Sequence, residues 1–117
     1  MNVVQKKSGE LSLNSQPVTV TVDGERRVSA LLDAPGDARA CYVLAHGAGA
    51  GMKHPFMGAV AKGLFERNIA TLRYQFPYME QRLKRPDRPE LAQATVRAAT
   101  EEASRLLPGA ALFAGGK

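Results

Sequence analysis

The chain reads as an α/β domain: a mostly parallel sheet with helices on both faces, opened by an N-terminal antiparallel hairpin. Three observations predict it. After the hairpin, apolar strand-like runs alternate with stretches of helical spacing. The first of them, Cys41–Ala45, is apolar at every position, as in a strand buried between two helical layers. Glycine-rich turns follow two of them, at Gly47–Gly51 and Gly115–Gly116.

The elements follow in order. Pro17–Val22 is β-branched with period two and reads as a half-buried strand. Asp23-Gly24 is a turn signal, and Arg27–Leu32 its antiparallel partner. Ala34–Asp37 breaks the chain. Cys41–Ala45 is the first strand apolar on both faces. Pro55 suits the first turn of a helix, where a missing N–H costs nothing. Phe56, Ala59, Val60, Gly63 and Leu64 then share one helical face, and Asn68 closes the helix in a left-handed conformation. Ile69–Tyr74 is the next strand, and Gln75–Arg88 a long polar connection. Asp87 is the expected N-cap of an Ala-rich helix over Glu90–Leu107, ended by Pro108-Gly109. Ala110–Ala114 is the last apolar strand. Residues 1–16 are expected to be flexible or loosely ordered, and the whole chain to belong to a single domain.

Composition bounds the function. A chain of 117 residues, 44% apolar and 23% charged, is ordinary globular material, which excludes a collagen, a disulfide-rich toxin and a disordered tail. No apolar run approaches the ~20 residues of a membrane helix. No secretory signal is visible after Met1. Cys41 alone makes neither an internal disulfide nor a zinc cluster. A cytoplasmic protein without cofactor or metal is expected. The net charge is +5, and Arg82, Lys84, Arg85 and Arg88 crowd one stretch. Without aromatic interleaving that stretch reads as a solvated loop, and neither nucleic acid nor membrane is an expected partner.

In a parallel sheet, ligands gather beyond the carboxyl ends of the strands, so the two glycine-rich turns belong at one rim. A strand followed by His46-Gly47, a glycine-rich turn and a helix resembles the oxyanion loop of the α/β-hydrolase superfamily. The strings Ala45-His46-Gly47-Ala48-Gly49-Ala50-Gly51-Met52-Lys53-His54-Pro55-Phe56-Met57 and Leu72-Arg73-Tyr74-Gln75-Phe76-Pro77-Tyr78, the latter followed by Lys84-Arg85-Pro86, are more specific. Together they resemble a small, dienelactone-hydrolase-like branch of predicted hydrolases, over about Pro17 to Lys117. The resemblance implies the first about five strands and two helices of that fold, in the order 1-2-4-3-5. It also implies that the last strand runs into Gly-Gly-Lys-Ser-x-Gly-Gly, whose Ser is the nucleophile. Here Ala114-Gly115-Gly116-Lys117 stands at the start of that string, so the nucleophile is expected directly after Lys117, with the acid and the catalytic His further on. Ser8, Ser12, Ser15, Ser29 and Ser104 sit in no Gly-x-Ser-x-Gly setting. A modified Ser at position 118, a premature stop or proteolysis at the elbow would each explain the chain's last residue.

The implied activity is hydrolysis of an ester, thioester or lactone, with this chain supplying the backbone N–H of Ala48 or Gly49 to the oxyanion. Small residues fit there because a side chain would block close approach. His46 is expected to orient backbone. Gly47, His54, Tyr74 and Pro77 are the candidate substrate contacts, with Arg82–Arg88 as a further wall. The partners implied are a small acyl substrate and, along the open edge at 110–114, the remainder of the domain or a second copy. Two other readings stand beside this one. The chain is then either a non-catalytic fold fragment or interaction module, or a nucleotide-binding domain. For the last, Gly47-x-Gly49 matches a dinucleotide fingerprint whose third glycine is replaced by Met52, and Arg73 would meet a 2′-phosphate. A Walker A loop ending at Lys117 fails at Ala111.

Overall fold

The structure, a computed structural model, describes residues 14–116. The described residues form β1 (Gln16–Thr21), β2 (Arg27–Asp33), β3 (Ala40–Ala45), α1 (Pro55–Phe65), β4 (Ile69–Tyr74), α2 (Pro77–Glu80), α3 (Pro89–Leu106) and β5 (Ala111–Gly116). Their single sheet has the order β1-β2-β4-β3-β5. It is antiparallel across β1, β2 and β4, and parallel across β4, β3 and β5.

The alternation of each strand sorts side chains between two faces. Cys41, Val43, Ala70, Leu72 and Tyr74 form one core with Ala99 and Ala103 of α3. The small alanines let α3 approach the sheet closely. Fully burying a side chain such as Leu72 contributes roughly 1.5–3 kcal/mol. Thr71 and Arg73, between these residues on β4, point to the opposite face, where α1 packs; the Arg73 guanidinium lies beside Gly58. The sheet is therefore covered on both faces, as expected.

Details depart from the expectation for physical reasons. The face that α1 buries carries Met57 and Ala61, whereas Phe56 is 46% exposed. The helix is apolar nearly all round, so its pattern does not choose the buried face. The connection over 75–88 contains α2, a single helical turn. Asp87 does not cap α3, whose N-cap is Arg88; its carboxylate accepts instead from the Tyr78 N–H at the start of α2. Of the N-terminal residues expected to be loose, 1–13 lie outside the described residues, while Ser15 is hydrogen-bonded to Asp33. Asn68 is left-handed, at φ 64°, as its position predicts. β5 borders the sheet, with Phe113 59% exposed. No helix among the described residues is long and apolar enough to cross a membrane.

Candidate functional site

The rim above β3 and β5 is built by their shared register. Ala45 and Gly116 are Cα partners, so the turn after His46 starts level with the tip of β5. A Cβ on Gly116 would lie 2.7 Å from the Ala45 carbonyl oxygen, so the two strand ends meet too closely for a side chain.

Residues 47–50 form a turn in which the Ala50 N–H donates to the Gly47 carbonyl over 3.3 Å. Gly49 has φ +79°, the value that the third position of a type II turn demands. His46 is buried beneath this turn and uses both ring nitrogens. Its Nε2 accepts from the Phe76 N–H at 3.0 Å, which leaves the proton on Nδ1 to donate to the Gly47 carbonyl at 2.9 Å. His46 thus orients backbone. A trans peptide sets N–H opposite C=O. Holding the Gly47 carbonyl toward the imidazole therefore turns the Ala48 N–H away from it. That N–H has no hydrogen-bond partner among the described residues, and Ala48 and Gly49 are both exposed.

Two clefts border the loop after β3. A mainly apolar one of about 190 Å³ is lined by His46, Ala48, Phe76, Tyr78, Pro86 and Ala92, with Asp87 as its charged member. Phe76 stands edge-on to the His46 ring, with centroids 5.1 Å apart. A polar cleft of about 340 Å³ meets the loop at Gly51 and Met52 and is lined also by Lys53, His54, Gln75, Glu80 and Arg82 among others. Glu80 is already engaged there, accepting from the Ser29 N–H and hydroxyl.

The expected site residues distribute as follows. Gly47 and Ala48 share the turn with Gly49, and His54 borders the polar cleft. The His54 ring caps α1 by accepting from the Phe56 N–H. Pro77, next in sequence to Phe76 and Tyr78, is buried at the first position of α2 and lines neither cleft. Tyr74 is 1% exposed and belongs to the core against α3. It borders neither cleft but stacks edge-on under Phe76, and burial pushes its hydroxyl up to about 12. Cys41 is likewise core, its thiol pushed up to about 11 by burial, with a backbone hydrogen bond at Leu72 opposing.

Arg73 is not available to a ligand phosphate. Its guanidinium is buried and pairs with Asp33 at 3.0 Å, donates to Ser15 Oγ, and reaches the Met52 carbonyl at 3.3 Å. The pair is not legible in the sequence, because Asp33 lies forty residues from Arg73 and only the folded sheet brings them together. Nor do Phe76 and Tyr78 stand out in the sequence as cleft walls, or Gln75 as a partner of the loop. The motif containing all three was the available signal.

The model of a family described as an alpha/beta hydrolase domain matches residues 38–117. No curated protein matches the chain. Among solved structures, a dienelactone hydrolase from Anabaena variabilis is similar with a TM-score of 0.75 at 23% identity, over 89% of this chain and 51% of that one. An alpha-beta serine hydrolase homologue from Coxiella burnetii has a TM-score of 0.72 at 14% identity, over 92% and 53%. A serine hydrolase without a lid from Xanthomonas campestris has 0.68 at 17%, over 93% and 53%. The chain spans about half the length of these structures, and the likeness at these identities is one of fold. With the family match running from before β3 to the end of β5, on the sheet order and rim geometry described above, the chain belongs to the alpha/beta hydrolase domain family.

Proposed function

We propose that the protein is a serine-dependent hydrolase that transfers an acyl group from an ester, thioester or lactone to water, and that this chain supplies one donor of its oxyanion hole. The observation that carries the reading is the Ala48 N–H: it is exposed, without a hydrogen-bond partner among the described residues, and held by the His46 grip on Gly47. Acyl transfer builds negative charge on a carbonyl oxygen. An amide already aimed at that oxygen stabilises it without reorganising. The apolar cleft beside Ala48 suits the hydrocarbon part of an acyl group. The names of the similar structures, a dienelactone hydrolase and serine hydrolases, point the same way.

The remaining machinery belongs, in this reading, to residues following Lys117. A Ser there attacks the carbonyl, a His takes its proton, and an acid orients the His. The Ser sits beyond Gly116, whose partner is Ala45, so its own following N–H completes the hole opposite Ala48. Without those residues no covalent catalysis by this chain is expected. The exposed edge of β5, with Phe113 bare, supports the companion proposal that a further strand of the same domain covers it.

A fluorophosphonate probe tests the reading on the full-length protein. Stoichiometric labelling of one Ser is expected, and its absence overturns the proposal. Ala48→Pro deletes the donor N–H at a turn position that favours proline. It should lower kcat by about 10²–10³-fold, the effect of losing one oxyanion donor.

A further inference from the structure

We infer that Gln75 is a positioning residue for the oxyanion loop, acting with Arg73 through the backbone of Met52; the inference rests on the hydrolase reading above. Both polar groups of the Met52 backbone are held by side chains from the end of β4. The Met52 N–H donates to Gln75 Oε1 at 2.9 Å, and the Met52 carbonyl accepts from Arg73 Nη1 at 3.3 Å. Each holder is itself held. Gln75 is tied to β2 by its own N–H, which donates to the Ser29 carbonyl at 2.9 Å. Arg73 Nη2 is fixed by Asp33 Oδ2 at 3.0 Å and Ser15 Oγ at 3.2 Å. At the other end of the loop the Phe76 N–H holds His46.

The segment from His46 to Met52 is therefore clamped at both ends by residues 73, 75 and 76. Between the clamps lie Gly47, Gly49 and Gly51, which leave the backbone free to wander unless its ends are fixed. Gly51 serves the clamp directly. A Cβ there would lie 2.7 Å from Gln75 Oε1 and push the amide off the Met52 N–H. An oxyanion donor works only within about 2.7–3.1 Å of the developing charge. A loop loosened at Met52 loses that placement of the Ala48 N–H, although Gln75 touches no substrate.

The test compares wild-type full-length protein with Gln75→Leu, which keeps the size but removes the acceptor, and Gln75→Glu, which keeps an acceptor. Gly51→Ala displaces the same amide from the opposite side and serves if Gln75→Leu does not fold. Two readouts are taken: hydrogen exchange of the peptide covering 46–54, and the rate of fluorophosphonate labelling with kcat and KM on a p-nitrophenyl ester. Gln75→Leu and Gly51→Ala should exchange the loop faster. They should also lower the labelling rate and kcat by about tenfold, with KM within about twofold. Gln75→Glu should restore most of both. Unchanged exchange in the two disruptive variants overturns the clamp. Faster exchange with wild-type labelling and kcat overturns its role in positioning. A wild-type protein that the probe does not label, with the clamp seen in exchange, overturns the hydrolase reading and with it the catalytic part of this inference.

Discussion

Removing the carboxylate of Asp33 should destabilise the domain more than any exposed substitution. Asp33 is 1% exposed, and Arg73, 5% exposed, meets it at 3.0 Å. Asp33→Ala leaves a guanidinium inside the α1 face whose remaining acceptors among the described residues are Ser15 Oγ and the Met52 carbonyl. Breaking a buried pair from one side costs about 3–5 kcal/mol. Against a domain stability of about 5–15 kcal/mol, that is about a fifth of the total or more. With a urea m-value near ~2 kcal/mol/M, the unfolding midpoint of the full-length protein should fall by roughly 2 M. Replacing both partners by apolar residues, Asp33→Leu with Arg73→Met, removes the stranded charge. It leaves the Met52 carbonyl without its donor, a smaller loss of about 1–3 kcal/mol. The double variant should therefore be more stable than Asp33→Ala alone. A midpoint shift below about 0.5 M for Asp33→Ala, or a double variant whose loss equals the sum of the singles, would refute the reasoning.

Burial raises the Cys41 thiol from 9.0 to about 11 and the Tyr74 hydroxyl from 10.0 to about 12. The unfolded chain thus releases these protons first, and stability falls as pH rises above 9 for Cys41 and above 10 for Tyr74. The slope is at most about 1.4 kcal/mol per pH unit for each group. Urea midpoints measured from pH 8 to 11 should fall, less steeply in Cys41→Ala; a flat profile contradicts the assignment. Residues 1–117 expressed alone should self-associate through β5, since edge strands with bare apolar side chains pair with one another. Phe113→Lys should shift size-exclusion elution towards monomer, whereas a wild-type segment that elutes as a monomer counts against the edge proposal. The rate loss expected for Ala48→Pro should appear in kcat with thermal stability nearly unchanged; a large drop in stability would mean that the turn is not type II.

Local chemistry made much of this fold legible. The unbroken apolar run at Cys41–Ala45 identifies a strand buried on both faces, whereas Ile69–Tyr74 reads as the next strand although it carries Thr71 and Arg73, both buried. Pro55, Asn68 and Gly24 mark their turns and caps because backbone sterics act within a few residues. The His46-Gly47 turn and its place at the rim followed from motif and strand order together.

What lay beyond the sequence depends on residues distant in the chain meeting in space. Which face α1 buries was decided by the surface it packs against, since the helix is apolar nearly all round. Asp33 carries no signal in the sequence, and only the antiparallel pairing of β2 with β4 brings it to Arg73. Asp87 reads as a helix cap until the chain folds back and offers it the Tyr78 N–H. Tyr74 stands at a strand end where a ligand contact is expected, but the alternation of β4 turns its ring into the core. Most elements were legible because their causes are local, whereas the pairing of polar groups was settled in three dimensions, because a hydrogen bond needs both partners in place.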